Sequence, residues 1–350
     1  MVRSSYGSDF PERQHVINDP ETGVRGIIAI HSTVLGPAAG GCRFWHYEND
    51  VDMVQDAVRL ARGMSYKNAM ADLPFGGGKA VLQRPKGDFD RATIFRIFAE
   101  AVEDLGGAYV TAEDVGTTID DMKAIRRHTR YVAGLAPQPG KAGGDPSPWT
   151  ALGVFESMKV AARFALDADL SDLTIAVQGT GNVGGGLCSL LAQAGAKLII
   201  ADVTPGRRDV LAATHGATIV DVSEIAGVQA DVFAPCALGG ALNERTIPML
   251  KARVICGGAN NQLATPADGE ALLARGITYA PDYVVNAGGI INVAAEYLGE
   301  TTDQVRERVH RIGSRLRTVL DQASREHLPV NVVADRLAQQ IITEGAKVAA

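Results

Sequence analysis

A glycine turn, Gly179-Thr-Gly-Asn-Val-Gly184, lies between a β-branched strand and an apolar helix, and no other stretch limits the fold as strongly. Thr174-Ile-Ala-Val-Gln178 precedes it, and Leu187, Leu190, Leu191 and Ala194 follow at helical spacing. A second strand, Lys197-Leu-Ile-Ile-Ala-Asp202, ends 23 residues past Gly179. This is the pattern of a strand–turn–helix–strand unit that holds a dinucleotide. Gly179 permits the sharp turn, Gly181 lets backbone approach a pyrophosphate, and Gly184 lets helix and strand pack closely. Thr180, Asn182 and Val183 complete the loop, and the helix amino terminus presents unpaired N–H groups to phosphate. Asp202 would accept hydrogen bonds from a ribose diol and repel a 2′-phosphate, which predicts NAD over NADP. Arg207 and Arg208 nearby are the counter-signal, because arginine can shelter a 2′-phosphate.

Further short strands at 217–220, 231–234, 253–256 and 277–279 are spaced for crossover helices, so the carboxyl-terminal half reads as a parallel sheet. Val305, Val309, Ile312, Leu316 and Val319 mark one long amphipathic helix, and another runs over 333–342. In the amino-terminal half, residues 25–31 and 79–83 read as strands, 35–43 as a loop, and 52–64 as a helix. Phe95, Phe98, Val102 and Leu105 mark a further helix. Residues 136–148 hold four prolines and three glycines and cannot sustain a helix or central strand. That segment reads as the junction of two domains, 1–140 and 141–324. With 350 residues, two cores are expected.

Composition narrows the partners. Forty acidic against 34 basic residues give a net charge of -6, which argues against a nucleic-acid face. Four cysteines, at 42, 188, 236 and 256, form no C-x-x-C pair, so neither a zinc site nor a disulfide framework is expected. The polar stretch 1–11 lacks the apolar run of a secretion signal, and nothing reaches the length of a membrane span. A cytoplasmic protein without metal or membrane partner is the expectation.

The second informative region is Tyr66-Lys-Asn-Ala-Met-Ala-Asp-Leu-Pro-Phe-Gly-Gly-Gly-Lys79, in which two lysines lie twelve residues apart and three glycines precede the second. Asp114 follows 35 residues later in Thr111-Ala-Glu-Asp-Val-Gly-Thr-Thr118, after the strand-like Tyr109-Val110. Strand carboxyl ends are where α/β sheets tend to place active groups.

With these stretches, Thr33-Val-Leu-Gly-Pro-Ala-Ala-Gly-Gly-Cys-Arg43, Ala234-Pro-Cys-Ala-Leu-Gly-Gly240, Gly258-Ala-Asn-Asn-Gln-Leu263 and Ala280-Pro-Asp-Tyr-Val-Val-Asn-Ala-Gly-Gly-Ile-Ile-Asn292 fall in one order over roughly residues 20 to 340. In that combination the chain resembles the leucine/phenylalanine/valine branch of the Glu/Leu/Phe/Val amino-acid dehydrogenases. The resemblance implies an α/β fold of two domains: an amino-terminal substrate domain, to which 325–350 returns, and a Rossmann-type dinucleotide-binding domain. A cleft separates them. It implies NAD-dependent, reversible oxidative deamination of an apolar L-amino acid to a 2-oxo acid and ammonium, by a homo-oligomer.

The resemblance also implies roles. Lys79 is the catalytic lysine that takes a proton from the attacking water, and Asp114 exchanges protons with the substrate nitrogen. Lys67 anchors the substrate carboxylate, with help from Asn261 and Asn260. Gly40 and Gly41 let backbone close on the substrate. Asn286, Cys236 and Ala237 lie near the cofactor. Glutamate-specific relatives carry a lysine where this chain has Ala39 and a hydroxyl where it has Val293. A substrate carboxylate there would lose water without gaining a partner. Ala112 and Ile290 complete an apolar pocket for leucine, valine, isoleucine or phenylalanine.

Two other readings are a 2-hydroxy-acid dehydrogenase and a non-catalytic NADH-binding module. The first needs a histidine paired with a carboxylate, a motif that none of the seven histidines forms. The second would carry a damaged lysine–aspartate set, and here Lys67, Lys79 and Asp114 are all present.

Overall fold

A computed structural model describes residues 10–136 and 138–349. Most of the polar amino terminus considered above, and Pro137 of the junction, lie outside them. The chain divides into two compact units, Met1–Asp145 with Asn292–Thr302 and Ala338–Ala350, and Pro146–Ile291 with Asp303–Leu337. The division falls five residues beyond the sequence-based boundary. The segment that rejoins the first unit starts at 338 rather than 325, and a piece at 292–302 joins it as well.

The first unit is built on a mixed sheet. Strands β1 (Arg13–Asp19) and β2 (Val24–Ser32) pair antiparallel, as do β2 and β5 (Gly76–Gln83). Strands β3 (Ala38–Ala39) and β4 (Cys42–Trp45) lie end to end along β5, both parallel to it, and β6 (Tyr109–Val110) pairs with β3. The segment 35–43, expected as a loop, thus supplies strand, because Gly40 and Gly41 let it lie close against β5 and the chain after β6.

Side chains of β2 and β5 alternate between two cores. Ile27, Ala29 and Val81 pack with Met53, Ala57 and Ala61 of helix α1 (Asp50–Met70). Ile28, Ile30, Ala80 and Leu82 face Phe95, Phe98 and Val102 of α2 (Arg91–Asp104) and Met122 and Ile125 of α3 (Ile119–Arg126). Polar caps start these helices: the Asn49 side chain accepts from the Asp52 amide at 2.9 Å, and Thr118 and Asp121 form a reciprocal capping box on α3. Helix α1 runs a turn and a half past the expected end, carrying Lys67 within its last turn.

The second unit opens with α4 (Ser147–Leu166) and holds a six-stranded sheet. Its strands are β7 (Thr174–Gln178), β8 (Lys197–Ala201), β9 (Thr218–Ile219), β10 (Val232–Pro235), β11 (Val254–Ile255) and β12 (Thr278–Tyr279). All pair parallel, in the order β12-β11-β10-β7-β8-β9. The order reverses between β7 and β10, which is where sheets of this kind open a crevice at their carboxyl ends. Helices α5 (Asn182–Gln193), α6 (Pro205–His215), α7 (Asp268–Ala274) and α8 (Asp282–Val285) lie between and after the strands. Helix α9 (Gly288–Tyr297) crosses the division of the chain.

The long helix expected over 305–319 is two, α10 (Thr302–His310) and α11 (Ile312–Glu326). At Arg311 the backbone tightens into a bond to the Arg308 carbonyl, and Gly313, two residues on, comes within 3.3 Å of the Glu156 carbonyl at the position of an added β-carbon. The glycine lets α11 approach α4 closely, and the change of direction is made just before it. The last helix, α12 (Val330–Ala349), is longer at both ends than the apolar spacing indicated. No helix among the described residues is long and apolar enough to cross a membrane.

Candidate active site and dinucleotide cradle

Period-two alternation on β5 sets the first site. Gly77, Lys79 and Val81 share the face that α1 covers. A β-carbon on Gly77 would overlap the Ser65 backbone of α1, so helix and strand are in backbone contact there. Lys79 is buried, 6% exposed, and its ammonium pairs with the Asp114 carboxylate. Asp114 lies four residues past β6, in a turn whose amide donates to the Thr117 hydroxyl at 2.8 Å. That hydroxyl also lies 3.1 Å from the Cys42 carbonyl, which ties the turn to β4. Burial opposes a charge on Asp114, but Lys79, and after it Arg43, outweigh burial and hold the carboxyl below its usual range.

Gly40 and Gly41 adjoin the same pair. A β-carbon on Gly40 would overlap the Gly78 carbonyl and sit 3.1 Å from Cγ of Met64. One on Gly41 would overlap the Glu113 carbonyl and lie 2.9 Å from Cβ of Asp114. Protein backbone therefore already demands both glycines, whatever else they face. Lys67 follows Met64 by one helical turn, so it shares the face of α1 turned toward Gly40. Ala39 and Ala112 are buried beside this group; the Ala112 carbonyl accepts from the Cys42 amide at 2.8 Å. Asn68, next to Lys67 and fully buried, donates to the Gly76 carbonyl at 2.6 Å and lies 3.3 Å from the Ala39 carbonyl.

Lys79, Asp114, Gly40, Gly41, Ala39 and Ala112 are thus brought together within the first unit, with Lys67 on the covering helix. Val293 is half-buried on α9 in the same unit, and Ile290 is one turn earlier, on the part of α9 that belongs to the second.

Sequence reasoning missed Arg43, Thr117 and Asn68. The threonine three residues after an aspartate is a turn signal that could have been used. Arg43 and Asn68 owe their positions to partners distant in sequence and carried no local signal.

The second unit gathers the glycine motif. Gly179 has φ of +95°, and a β-carbon there would come within 2.9 Å of the Ala237 amide nitrogen, so the turn after β7 packs against the turn after β10. A β-carbon on Gly184 would overlap the Gly179 carbonyl and meet Cys236. Val183 packs on Gly258 in the same way. Gly181 differs: the nearest atom to its β-carbon position is Nη1 of Arg207, at 4.0 Å. No side chain caps the amino terminus of α5, where Asn182 is exposed. A recess of about 360 Å³ beside it is lined by Thr180, Gly185, Gly206, Arg207, Val210 and Leu211.

Asp202, at the end of β8, accepts from the Thr180 amide at 2.5 Å, the Thr180 hydroxyl at 3.0 Å and the Thr204 amide at 2.7 Å. Burial opposes its charge, but these bonds outweigh it and hold the carboxyl below its usual range. Asn286 is buried and donates to Oδ1 of Asn260 at 2.8 Å, while its own Oδ1 has no hydrogen-bond partner. Asn261 adopts a left-handed conformation, φ +52°, and its carbonyl accepts from the Gly240 amide at 2.7 Å. The open cradle at Gly181, the uncapped helix and the orphaned Asn286 oxygen fit a nicotinamide dinucleotide.

A buried lysine paired with a carboxylate in an α/β unit, and a glycine turn at the reversal point of a parallel sheet, fit an oxidoreductase of the nicotinamide class. Residues 11–131 match the model of the Glu/Leu/Phe/Val dehydrogenase dimerisation domain, and residues 201–348 that of the Glutamate/Leucine/Phenylalanine/Valine dehydrogenase domain. The chain is 48% identical to a leucine dehydrogenase of Geobacillus stearothermophilus over 329 residues, covering 93% of this chain and 88% of that protein. It is 42% identical to a valine dehydrogenase of Streptomyces albus, covering 98% and 96%. The crystal structure of L-tryptophan dehydrogenase from Nostoc punctiforme superposes with a TM-score of 0.86 at 38% identity, covering 97% of this chain and 98% of that one. The chain belongs to the Glu/Leu/Phe/Val dehydrogenase family. It is an amino-acid dehydrogenase, an NAD(P)-dependent enzyme acting on CH–NH2 donors.

Proposed function

We propose that this enzyme catalyses reversible oxidative deamination of an apolar L-amino acid, with NAD, to the 2-oxo acid and ammonium. The observation that carries the reading is the buried Lys79–Asp114 pair beside Gly40 and Gly41.

In the proposed reaction Lys67 pairs with the substrate carboxylate, and Asn261 and Asn260 add amide hydrogen bonds. Asp114, kept ionised by its cations, accepts a proton from the substrate ammonium. A nicotinamide held in the cradle would supply the acceptor for the hydride of Cα. Lys79 removes a proton from the water that adds to the iminium, and as an ammonium it stabilises the oxygen of the carbinolamine. Asp114 returns a proton to the departing nitrogen, which takes up the hydroxyl proton as the carbonyl forms and leaves as ammonium, and Lys79 releases its proton to solvent as the net proton of the reaction. Ala39, Ala112, Ile290 and Val293 offer no partner to a charged side chain, which favours leucine, valine, isoleucine or phenylalanine over glutamate.

The glycine cradle of Gly179, Thr180, Gly181, Asn182, Val183 and Gly184 receives the pyrophosphate, with Cys236 and Ala237 beside it and Asn286 toward the nicotinamide end. Asp202, ionised at neutral pH, favours NAD over NADP. The dimerisation domain named for residues 11–131 supports a homo-oligomer. Four free cysteines suit a reducing compartment, the cytoplasm.

NADH formation with each of the twenty amino acids, repeated with NADP, tests the reading. Turnover is expected with apolar aliphatic or aromatic substrates and NAD. Absence of turnover with every amino acid, or turnover confined to 2-hydroxy acids, would overturn it.

A further inference from the structure

Asp114 faces two cations, not one. Nε of Arg43 lies 3.4 Å from Asp114 Oδ2, the oxygen that also pairs with Lys79. Both Arg43 Nε and Asp114 Oδ2 are buried without a hydrogen bond of good geometry. The far side of the guanidinium is fixed: Nη1 donates to Asp56 Oδ2 at 2.8 Å. Asp56 in turn accepts from the Tyr47 hydroxyl at 2.6 Å and from Nη2 of Arg59 at 2.7 Å. Arg43 therefore sits on β4 with its head locked to α1 and with an Nε–H that makes no hydrogen bond 3.4 Å from the carboxylate.

The inference rests on the proposed reaction, in which Lys79 passes between ammonium and amine. Were Lys79 the only counter-charge, Asp114 would be left as an unpaired buried anion each time that proton departs. Arginine keeps its charge throughout. We infer that Arg43 is a positioning residue for Asp114: its Nε–H is the partner that the carboxylate takes up when Lys79 gives up its proton. Cys42 and Tyr109 also feel the Asp114 charge, Asp56 and Tyr47 face the Arg43 head, and Lys67 lies on the α1 face turned toward Gly40. Burial first, and then the Asp114 charge, push the Cys42 thiol up, so it stays neutral.

The test compares R43M, R43K and D56N with wild type, by the split of kcat and KM, the pH profile of kcat/KM, NADH affinity, and a carbon-13 NMR titration of the Asp114 carboxyl assigned with D114N. In R43M, kcat is expected to fall by up to about 100-fold, as for a displaced reacting group, with NADH affinity unchanged. The acidic limb and the Asp114 titration move to higher pH. R43K restores much of the titration but little of kcat, because an ammonium cannot span Asp56 and Asp114 together. D56N lowers kcat with a smaller shift in the titration, and decides the matter if R43M does not fold. Unmoved Asp114 titration in R43M, R43K and D56N, or kcat unchanged in the variants that fold, would overturn the inference. The NMR readout needs no turnover, so failure of the proposed reaction, seen as inactivity of wild type on every amino acid, is distinguished from failure of this one.

Discussion

Lys79 and Asp114 act as a couple because neither is placed to do its work alone. A lysine at 6% exposure would be costly without a counter-charge, and Asp114 supplies it. Removing the ammonium leaves the carboxylate with Arg43 at 3.4 Å. Lys79→Ala should therefore fold, bind NADH with near wild-type affinity, and lose roughly 10²- to 10⁴-fold in kcat, the range for a lost acid–base group. Stopped-flow turnover and NADH fluorescence titration measure the two quantities. A variant with wild-type kcat would remove Lys79 from the proposed reaction. The pairing spans 35 positions, and the spacing of the two residues does not announce it. The triple glycine before Lys79 does give a local hint, since Gly77 and Gly78 are needed where Ser65 and Tyr109 crowd the strand.

Helices and strands were mostly legible, because apolar spacing reports the face that each element buries. Phe95, Phe98 and Val102 mark α2 in the sequence and line one core in the structure. The misjudged stretches share a cause: their boundaries depend on what lies opposite. The segment 35–43 pairs with β5 through glycines that read as loop, and α1 extends over β5 beyond its last clear apolar repeat. Capping chemistry marks α3, where Asp121 both closes the capping box and accepts 2.7 and 2.6 Å bonds from Arg91. Burial opposes the Asp121 charge, but Arg91 and Thr118 outweigh it and lower its pKa. A carboxyl depressed in the folded state contributes stability above its unfolded value of about 3.9, lost as pH falls through the lower folded value. The stability difference between wild type and D121N, from urea titrations, should hold steady from about pH 7 to 5 and shrink below that unfolded value. A difference unchanged down to about pH 2 would contradict the assignment.

Global stability and cofactor binding separate at two glycines of one motif. Gly184 is packed against the Gly179 carbonyl, so Gly184→Ala should lower the melting temperature, as overpacking by about 1–3 kcal/mol does. At Gly181 the chain has φ of -65° and open space, so Gly181→Val should leave the melting temperature of the free enzyme near wild type. It should also abolish the rise that saturating NADH produces, a rise worth about 2.7 kcal/mol at a hundredfold excess over Kd. Differential scanning calorimetry with and without NADH reads both. Equal NADH stabilisation of Gly181→Val and wild type would remove the cradle from cofactor binding.

The glycine motif and the strand repeats were readable because each depends on residues within a few positions of one another. Backbone sterics and side-chain period act at that range. The pairing of Lys79 with Asp114, the arginine held between two carboxylates, and the return of 292–302 and 338–350 to the first unit depend on groups far apart in the chain. Those arrangements exist once the sheet has set its strand order and buried charges must find partners, a requirement that no local pattern encodes.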